Sequence, residues 1–206
     1  MIYIKGKTEL PEGVEERLLE ELERYRLVHT RITCWERLDD DREGEDEEEF
    51  VYSLKAIHGI KGASFTLACM CTSQHSPIDM LMYYDTRPSA FNGVFDFYTY
   101  EKLKGYYAFY WYGFLYDCEK EIPSQNEVEN IYSLCGADKN GKATIILTYY
   151  SDNDSLPNKE ISLDSGENAT YEIYKVDNRH NGELVAVTDN LSFELELYSM
   201  VLIKEK

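Results

Sequence analysis

The chain has 206 residues, of which 43% are hydrophobic, so it can bury an ordinary core as one domain or as two small ones. Its 39 acidic residues outnumber 21 basic residues and give a net charge of −18. A field of this sign repels phosphate backbones and anionic lipid headgroups, which excludes nucleic acid and membrane surfaces as partners, whereas neutral ligands such as sugars feel little of it.

The five cysteines lie in apolar stretches, are odd in number and form no Cys-x-x-Cys pair. This pattern favours free thiols in a reducing compartment and argues against structural zinc or another metal. The first residues contain no apolar core long enough for a signal peptide, and no apolar run approaches the length of a membrane span. We therefore expect a cytoplasmic protein without a metal or cofactor.

The first predicted elements are a helix, a strand and an acidic loop. Residues 11–26 carry apolar side chains at helical spacing, and the β-branched stretch 28–35 predicts a strand. Residues 39–49 contain nine acids among eleven residues. They predict a solvated loop rather than a calcium loop, because the acids lack the alternating pattern that calcium loops show.

Helical spacing returns at residues 49–73, where Gly59 and Gly62 each cost about 1 kcal/mol in a helix interior and imply close packing. The apolar run 78–84 predicts a strand buried on both faces, as parallel strands are. Residues 101–120 are crowded with tyrosines. They predict a helix whose aromatic side chains contact the β-rich second half of the chain.

The first half therefore alternates α–β–α–β–α, which predicts that strands 28–35 and 78–84 run parallel and are joined by a right-handed crossover. Two parallel strands do not make a stable sheet alone. The exposed edge of the second strand predicts either self-association or an added strand from this chain, for which Ile2–Lys5 is the candidate.

After residue 123 the apolar period changes from helical to alternating, which predicts short antiparallel strands. The seven predicted strands are residues 130–137, 143–150, 159–163, 170–176, 183–188, 191–197 and 200–203. Such a series is typical of a small β-sandwich. We therefore predict two domains, residues 1–122 and 123–206.

The best candidate for a binding site is the loop that follows strand 78–84. Tyr84 and Asp85 end the strand, and Arg87, Phe91 and Asn92 follow in the loop. In α/β barrels the chemistry lies where strands end and the next loops begin. These five residues therefore form a candidate sugar site.

Each of these residues also has a structural interpretation. Asp85 and Arg87 form either an ion pair that holds the loop or a pair of sugar ligands. Tyr84 either stacks on a pyranose ring or fills the mouth of a barrel. Phe91 and Asn92 either contact substrate or belong to a plain Asn-Gly turn.

The motif Tyr-Tyr-Asp-Thr-Arg-Pro-Ser-Ala-Phe-Asn-Gly at residues 83–93, with its flanks from 75 to 107, resembles the last barrel strand and following loop of bacterial glycoside hydrolases. These are the retaining β-xylosidase-like enzymes related to family 39. Residues 52–66 are similar to the helix before that strand, and residues 131–206 to the sandwich that ends such chains. The resemblance implies an α/β plus all-β fold: a partial (β/α)8 barrel with its last two parallel strands and three helices, then a small antiparallel β-sandwich.

The resemblance also implies an incomplete catalytic pair. A retaining glycosidase needs two carboxyl groups about 5 to 5.5 Å apart, and the barrel strand that carries the acid/base is missing here. The family's seventh strand carries Glu-Trp-Asn, whereas this chain has Cys34 in place of the glutamate, followed by Trp35. Trp35 either stacks on a sugar or fills the barrel mouth. Glu36 shares the strand face of Cys34 and is either the nucleophile or a solvent-facing glutamate at a strand end.

Three classes of function follow. The chain is part of a β-xylosidase-like enzyme whose other strands come from a complementing barrel chain, or it is a noncatalytic carbohydrate-binding or accessory module. The third class is a degenerate fragment that forms a homo-oligomer. In all three the isolated chain lacks half of the carboxylate pair, so we expect no hydrolysis of xylosides.

Overall fold

The computed structural model of the chain describes residues 2–5, 46–84, 86–89, 92–124, 128–164 and 169–206. The predicted helix 11–26 and strand 28–35 lie outside the described residues, and so do residues 39–45 of the acidic run. The described part is mixed α/β, with three helices and an antiparallel sheet of six strands.

The helices are α1 (Asp46–His58), α2 (Ile60–Ser73) and α3 (Lys104–Tyr116). The prediction of one helix over residues 49–73 was wrong in two respects, because helix formation begins three residues earlier and is interrupted at Gly59. The end of the acidic run is thus helical rather than a loop. Acidic residues in the first turn of a helix are favoured by the helix dipole.

The interruption between α1 and α2 explains the two glycines. A Cβ atom at Gly59 would lie 2.5 Å from the carbonyl oxygen of Lys55, and one at Gly62 would lie 2.3 Å from that of Ile57. Neither position can hold a larger residue without moving the backbone. At both positions the backbone lies close to the end of α1, and a glycine is required there because it has no Cβ atom.

Seven strands follow residue 123 in the described part of the chain, and all seven predicted from alternation are present. They are β4 (Ile131–Ala137), β5 (Ala143–Tyr149), β6 (Lys159–Ser162), β7 (Tyr171–Val176), β8 (Asn181–Thr188), β9 (Ser192–Leu195) and β10 (Met200–Glu205). One further strand, β3 (Lys120–Ile122), was not predicted, and its first residue was predicted as the end of a helix. It pairs with β4 at the edge of the sheet, where all three of its residues are exposed.

The six-stranded sheet has the order β3-β4-β5-β10-β7-β8, and β6 and β9 form a separate pair. Along β10 the side chains alternate between two cores. Met200 and Leu202 pack with α2 and α3 on one face, and Val201 and Ile203 pack beneath β6 and β9 on the other. The helices and the β6–β9 pair thus cover opposite faces of one sheet, as a strand period of 2 requires.

The aromatic helix α3 contacts the sheet as predicted. Ala108 and Trp111 are buried in the same core as Leu134, Ile146 and Leu202 of the sheet. The predicted boundary between residues 1–122 and 123–206 stays a prediction. Strand β3, on its N-terminal side, pairs with β4 on its C-terminal side.

Strand β2 (Met80–Tyr83) pairs antiparallel with β1 (Ile2–Lys5), with Ile2 opposite Tyr83. The prediction that Ile2–Lys5 adds a strand here is confirmed. The prediction that the strand is buried on both faces is wrong, because Met80 is 53% and Met82 45% exposed. Since segment 28–35 lies outside the described residues, the parallel pair and the partial barrel stay predictions.

Candidate functional site

The candidate site is the loop after β2, and hydrogen bonds that one asparagine donates and accepts close it. Asn92 is 6% exposed and its Nδ2 donates to the carbonyl oxygen of Tyr84 at 2.6 Å. Its Oδ1 accepts from Ser89 Oγ at 3.2 Å, and its own carbonyl oxygen accepts from the hydroxyl of Tyr83 at 2.8 Å. The far end of the loop is thereby joined to the end of the strand.

Gly93 allows the loop to close this tightly. A Cβ atom at Gly93 would lie 2.5 Å from the carbonyl oxygen of Arg87 and 2.7 Å from the backbone nitrogen of Ser89. Both contacts are shorter than a carbon atom tolerates. The Asn-Gly pair is therefore a structural requirement of the loop, whatever else the loop binds.

Strand β2 is attached to the rest of the molecule through Tyr83. Its ring packs edge-on against Phe109 of α3, with centroids 5.0 Å apart. The next residue, Tyr84, is 47% exposed, and Arg87 is also exposed. The loop thus has a fixed base and presents an aromatic ring and a guanidinium group to solvent.

A second turn beside the loop presents more aromatic rings. Asp96 Oδ1 accepts hydrogen bonds of 2.8 Å from the backbone N–H groups of Thr99 and Tyr98, and these bonds lower the pKa of Asp96. Tyr98 is 83% and Tyr100 69% exposed, and Tyr100 has a positive φ of 58°. Exposed rings on an ordered turn are suited to stacking on the apolar face of a ligand.

The structure does not describe the remaining predicted site residues. Cys34, Trp35 and Glu36 lie outside the described residues, and so do Asp85 and Phe91. Their proposed roles stay predictions, as do those of Tyr84, Arg87 and Asn92 in binding sugar. For Asn92 the side-chain hydrogen bonds lie within the loop, which is the structural alternative that the sequence left open.

Two of the described cysteines, Cys71 and Cys135, are poorly suited to nucleophilic chemistry. Cys69, Cys71, Cys118 and Cys135 are free thiols. Burial raises the pKa of Cys71 far above its usual range and that of Cys135 to about 11. Since the thiolate is the reactive form, these two thiols are inert near neutral pH. Within the described ranges no three His, Cys, Asp or Glu side chains are grouped so as to hold a metal ion.

One polar cluster joins the helices to the loops of the sheet. Lys61 Nζ donates to Asp154 Oδ1 at 2.6 Å and to the hydroxyl of Tyr52 at 2.9 Å, and that hydroxyl donates to Asp154 Oδ2 at 2.8 Å. Burial acts to lower the pKa of Lys61, but its bonds to Asp154 and Tyr52 outweigh burial and raise it. These groups satisfy one another, so the cluster serves structure. This cluster could not be predicted from a local sequence pattern, because Lys61 and Asp154 are 93 residues apart.

A second cluster joins the start of α3 to the β7–β8 turn. The carboxylate of Asp177, 2% exposed, accepts from His180 Nδ1 at 2.9 Å and from Lys175 Nζ at 3.0 Å. Lys104 Nζ donates to the carbonyl oxygens of Asp177 and His180 at 2.6 and 2.8 Å. The cluster fixes the orientation of α3 on the sheet.

No helix of the described part of the chain has the length and apolar character needed to span a membrane.

Several solved structures with a similar fold are glycoside hydrolases. A glycoside hydrolase family 30 subfamily 8 xylanase from Clostridium acetobutylicum has a TM-score of 0.55 at 11% identity, over 72% of this chain and 40% of that one. A family 30 endoxylanase from Clostridium papyrosolvens C71 has a TM-score of 0.53 at 16% identity, over 72% and 39%. A bifunctional glucanase-xylanase from a metagenome library has a TM-score of 0.51 at 13% identity, over 73% and 29%.

These identities show a shared fold and no more. No protein-family model matches the chain, and no curated protein matches it. The chain spans between 29% and 40% of the length of the three enzymes. The family named in two of the three descriptions is 30, so the relationship to family 39 that the sequence implied stays a prediction. Over 72 to 73% of its length the chain shares the fold of part of these three enzymes.

Proposed function

We propose that the chain is a carbohydrate-recognising portion of a glycoside hydrolase-like protein, with its sugar site in the loop after β2. The observation that carries the proposal is the closed loop itself. Asn92 and Gly93 hold it against the strand end while Tyr84 and Arg87 face solvent. A tyrosine ring offers an apolar stacking face, and a guanidinium group offers several donors to ring hydroxyls.

The fold shared with xylanases supports the choice of a xyloside-like ligand. A neutral polysaccharide also avoids the repulsion that a net charge of −18 imposes on anionic ligands. We further propose that segment 28–35 runs parallel to β2 as part of a partial barrel, which places Trp35 and Glu36 at the same strand ends as Tyr84 and Asp85. The four described cysteines are free thiols, which supports the proposed cytoplasmic location.

Catalysis by this chain alone is not part of the proposal. Retention requires an acid/base carboxyl as well as a nucleophile, about 5 to 5.5 Å apart, and Glu36 is the nucleophile candidate that the sequence offers. A complementing barrel chain would have to supply the acid/base. We expect the isolated chain to leave aryl β-xylosides intact. Turnover by the wild-type chain would contradict this expectation, and turnover that survives Glu36→Gln would also remove Glu36 as the nucleophile.

The site is tested by calorimetric titration of the full chain with xylohexaose and cellohexaose. Tyr84→Ala and Arg87→Ala should each weaken binding by about tenfold, since each removes a ligand contact worth about 1.4 kcal/mol. The matched control is Tyr116→Ala, because Tyr116 is 89% exposed at the end of α3 and lies outside the loop. Equal affinity of Tyr84→Ala and the wild type would remove Tyr84 from the site, and equal affinity of all variants would place any binding elsewhere.

A further inference from the structure

The outer side of α3 carries a row of ordered aromatic rings. Tyr106 and Tyr110 stack with centroids 5.7 Å apart and planes 24° apart, and Tyr110 meets Phe114 edge-on at 4.9 Å. Lys102 Nζ lies 4.6 Å from the ring centre of Tyr106 at one end of the row. Tyr110 is nevertheless 50% exposed. The rings are held in place by one another, so a ligand that stacks on Tyr110 meets a preorganised surface.

Side chains of β8 on the sheet face that α3 packs against are exposed to solvent. At its start α3 lies against the β7–β8 turn, where Tyr107 packs over Gly182, and just beyond its end Cys118 packs against Gly136 of β4. The outer part of β8 therefore lies beyond the helix. Leu184 is 48% and Val187 49% exposed there.

Polar groups are interspersed on this uncovered face. Tyr174 pairs with Leu184, and Glu172 pairs with Val187 and with Lys204, so their side chains share one face. The hydroxyl of Tyr174 donates to Glu172 Oε2 at 2.8 Å, and Lys204 Nζ lies 4.4 Å from the ring centre of Phe114. The bond to Glu172 raises the pKa of Tyr174, and the nearby Tyr110 adds to this effect. We call the surface formed by Tyr110, Phe114, Glu172, Tyr174 and Leu184 the lateral groove.

We propose that the lateral groove is a second carbohydrate-binding site, in which a sugar ring stacks on Tyr110 and its hydroxyls bond to Glu172 and Tyr174. This inference rests on the proposed function for its ligand class. Mixed chemistry favours a glycan over a protein partner, because the centres of protein interfaces are depleted of charged groups such as Glu172 and Lys204. Apolar rings with a few convergent polar groups are typical of small-ligand sites. The acidic chain does not repel a neutral glycan.

Sequence offers a partial signal for this site. Aromatic residues occupy positions 106, 107, 109, 110, 111, 112, 114 and 116, which is every side of the helix. One helix face can be buried against the sheet, so the others must face solvent or a ligand. The glutamate and tyrosine of β7 could not be linked to them without the strand order.

The test is titration of the full chain, carrying ¹³C-labelled tyrosine, with xylohexaose and cellohexaose. We expect the Tyr110 ring signals to shift, Tyr110→Ala to weaken binding by about tenfold, and Tyr110→Phe to bind within about threefold of the wild type, since the stacking face remains. Glu172→Gln should weaken binding by a few-fold. Tyr116→Ala is the control on the same helix. If Tyr110→Ala does not fold, Glu172→Gln and the Tyr110 signal of the wild type decide the question.

The outcomes separate this site from the loop after β2. Loss of binding in Tyr84→Ala with wild-type affinity in Tyr110→Ala would overturn the lateral groove and leave the proposed function intact. The reverse pattern would support the groove and overturn the loop. Silence of all titrations would overturn both. Pairing of a peptide strand with the outer edge of β8, with no response to sugar, would overturn the groove as a glycan site.

Discussion

The six-stranded sheet and the β1–β2 pair are both antiparallel, but they are stabilised in opposite ways. The central strands of the sheet are covered on both faces, and Ile146, Leu202 and Ile203 are at most 2% exposed. Strand β2 keeps Met80 and Met82 about half exposed, and its loop depends on a few hydrogen bonds. The sheet is therefore the rigid scaffold of the molecule, and the β2 region is an exposed surface that is available for binding. Binding residues are commonly located on loops of this kind.

The largest effect that separates the two regions should come from a core truncation. Ile203→Ala is expected to lower the free energy of unfolding by about 2 to 5 kcal/mol, because the side chain is fully buried and leaves a cavity. Met82→Ala, at 45% exposure in β2, should cost less than about 1 kcal/mol. Urea unfolding of both variants measures the difference. Equal losses would mean that β2 belongs to the core.

The next largest effect concerns the Asp177 cluster. Burial acts to raise the pKa of Asp177, but hydrogen bonds from His180, the backbone of Arg179 and Lys175 outweigh it and hold the pKa well below its usual range. The folded chain therefore binds fewer protons than the unfolded chain, and this stability is lost as pH falls below about 4. Asp177→Asn should cost about 2 to 3 kcal/mol at pH 7 and flatten the loss of stability in acid.

The control for this prediction is Asp189→Asn, at an exposed position between β8 and β9. It should leave both the stability at pH 7 and its acid dependence unchanged. Unfolding by urea at a series of pH values measures both quantities. If Asp177→Asn lost stability in acid as steeply as the wild type, other carboxylates would be the cause of that loss.

Alanine substitutions at two glycines should change the free energy of unfolding in opposite directions. Gly182 has a φ of +83°, and a Cβ atom there would lie 2.4 Å from the ring of Tyr107, so Gly182→Ala should destabilise by about 2 kcal/mol. Gly113 lies in α3 with open space around it, and Gly113→Ala should stabilise by up to about 1 kcal/mol. Thermal unfolding compares the two. A stable Gly182→Ala variant would contradict the docking of α3 on the β7–β8 turn.

The smallest effect on global stability is expected in the loop. Asn92→Ala removes the bond to the Tyr84 carbonyl and should cost about 1 kcal/mol. Because the loss is local, hydrogen exchange of residues 84–93 should accelerate while the sheet stays protected. Ser89→Ala removes the 3.2 Å hydrogen bond that Asn92 Oδ1 accepts but leaves the bond from Asn92 Nδ2 to Tyr84 in place. It should therefore accelerate exchange less. Uniform acceleration across the sheet would mean that the loop is part of the scaffold.

The second half of the fold could be predicted because its physics is local. Phe193 and Leu195 alternate with Glu194 in β9, whereas β10 begins with a short continuous apolar run because both of its faces are buried. Strand β3 could not be found this way, since Lys120, Glu121 and Ile122 are all exposed and only pairing with β4 makes them a strand. The break at Gly59 was missed because helical spacing of apolar residues continues across it.

The candidate site was predicted in position but not in detail. The end of an apolar strand marked Tyr84 and the loop behind it, and the Asn-Gly pair marked a turn. That Asn92 bonds back to Tyr84 depends on how the loop closes, which no local pattern encodes. The lateral groove needs residues from α3, β7 and β8 together, and only the strand order brings these together.

The central claim is that the loop after β2 recognises carbohydrate. Its most direct test is an NMR titration of the ¹⁵N-labelled chain with xylohexaose, in which the backbone signal of every residue is followed. The account predicts saturable shifts at Tyr84, Arg87 and Gly93 and none at the exposed β3 edge. Saturation of the titration with those three signals unmoved would contradict it.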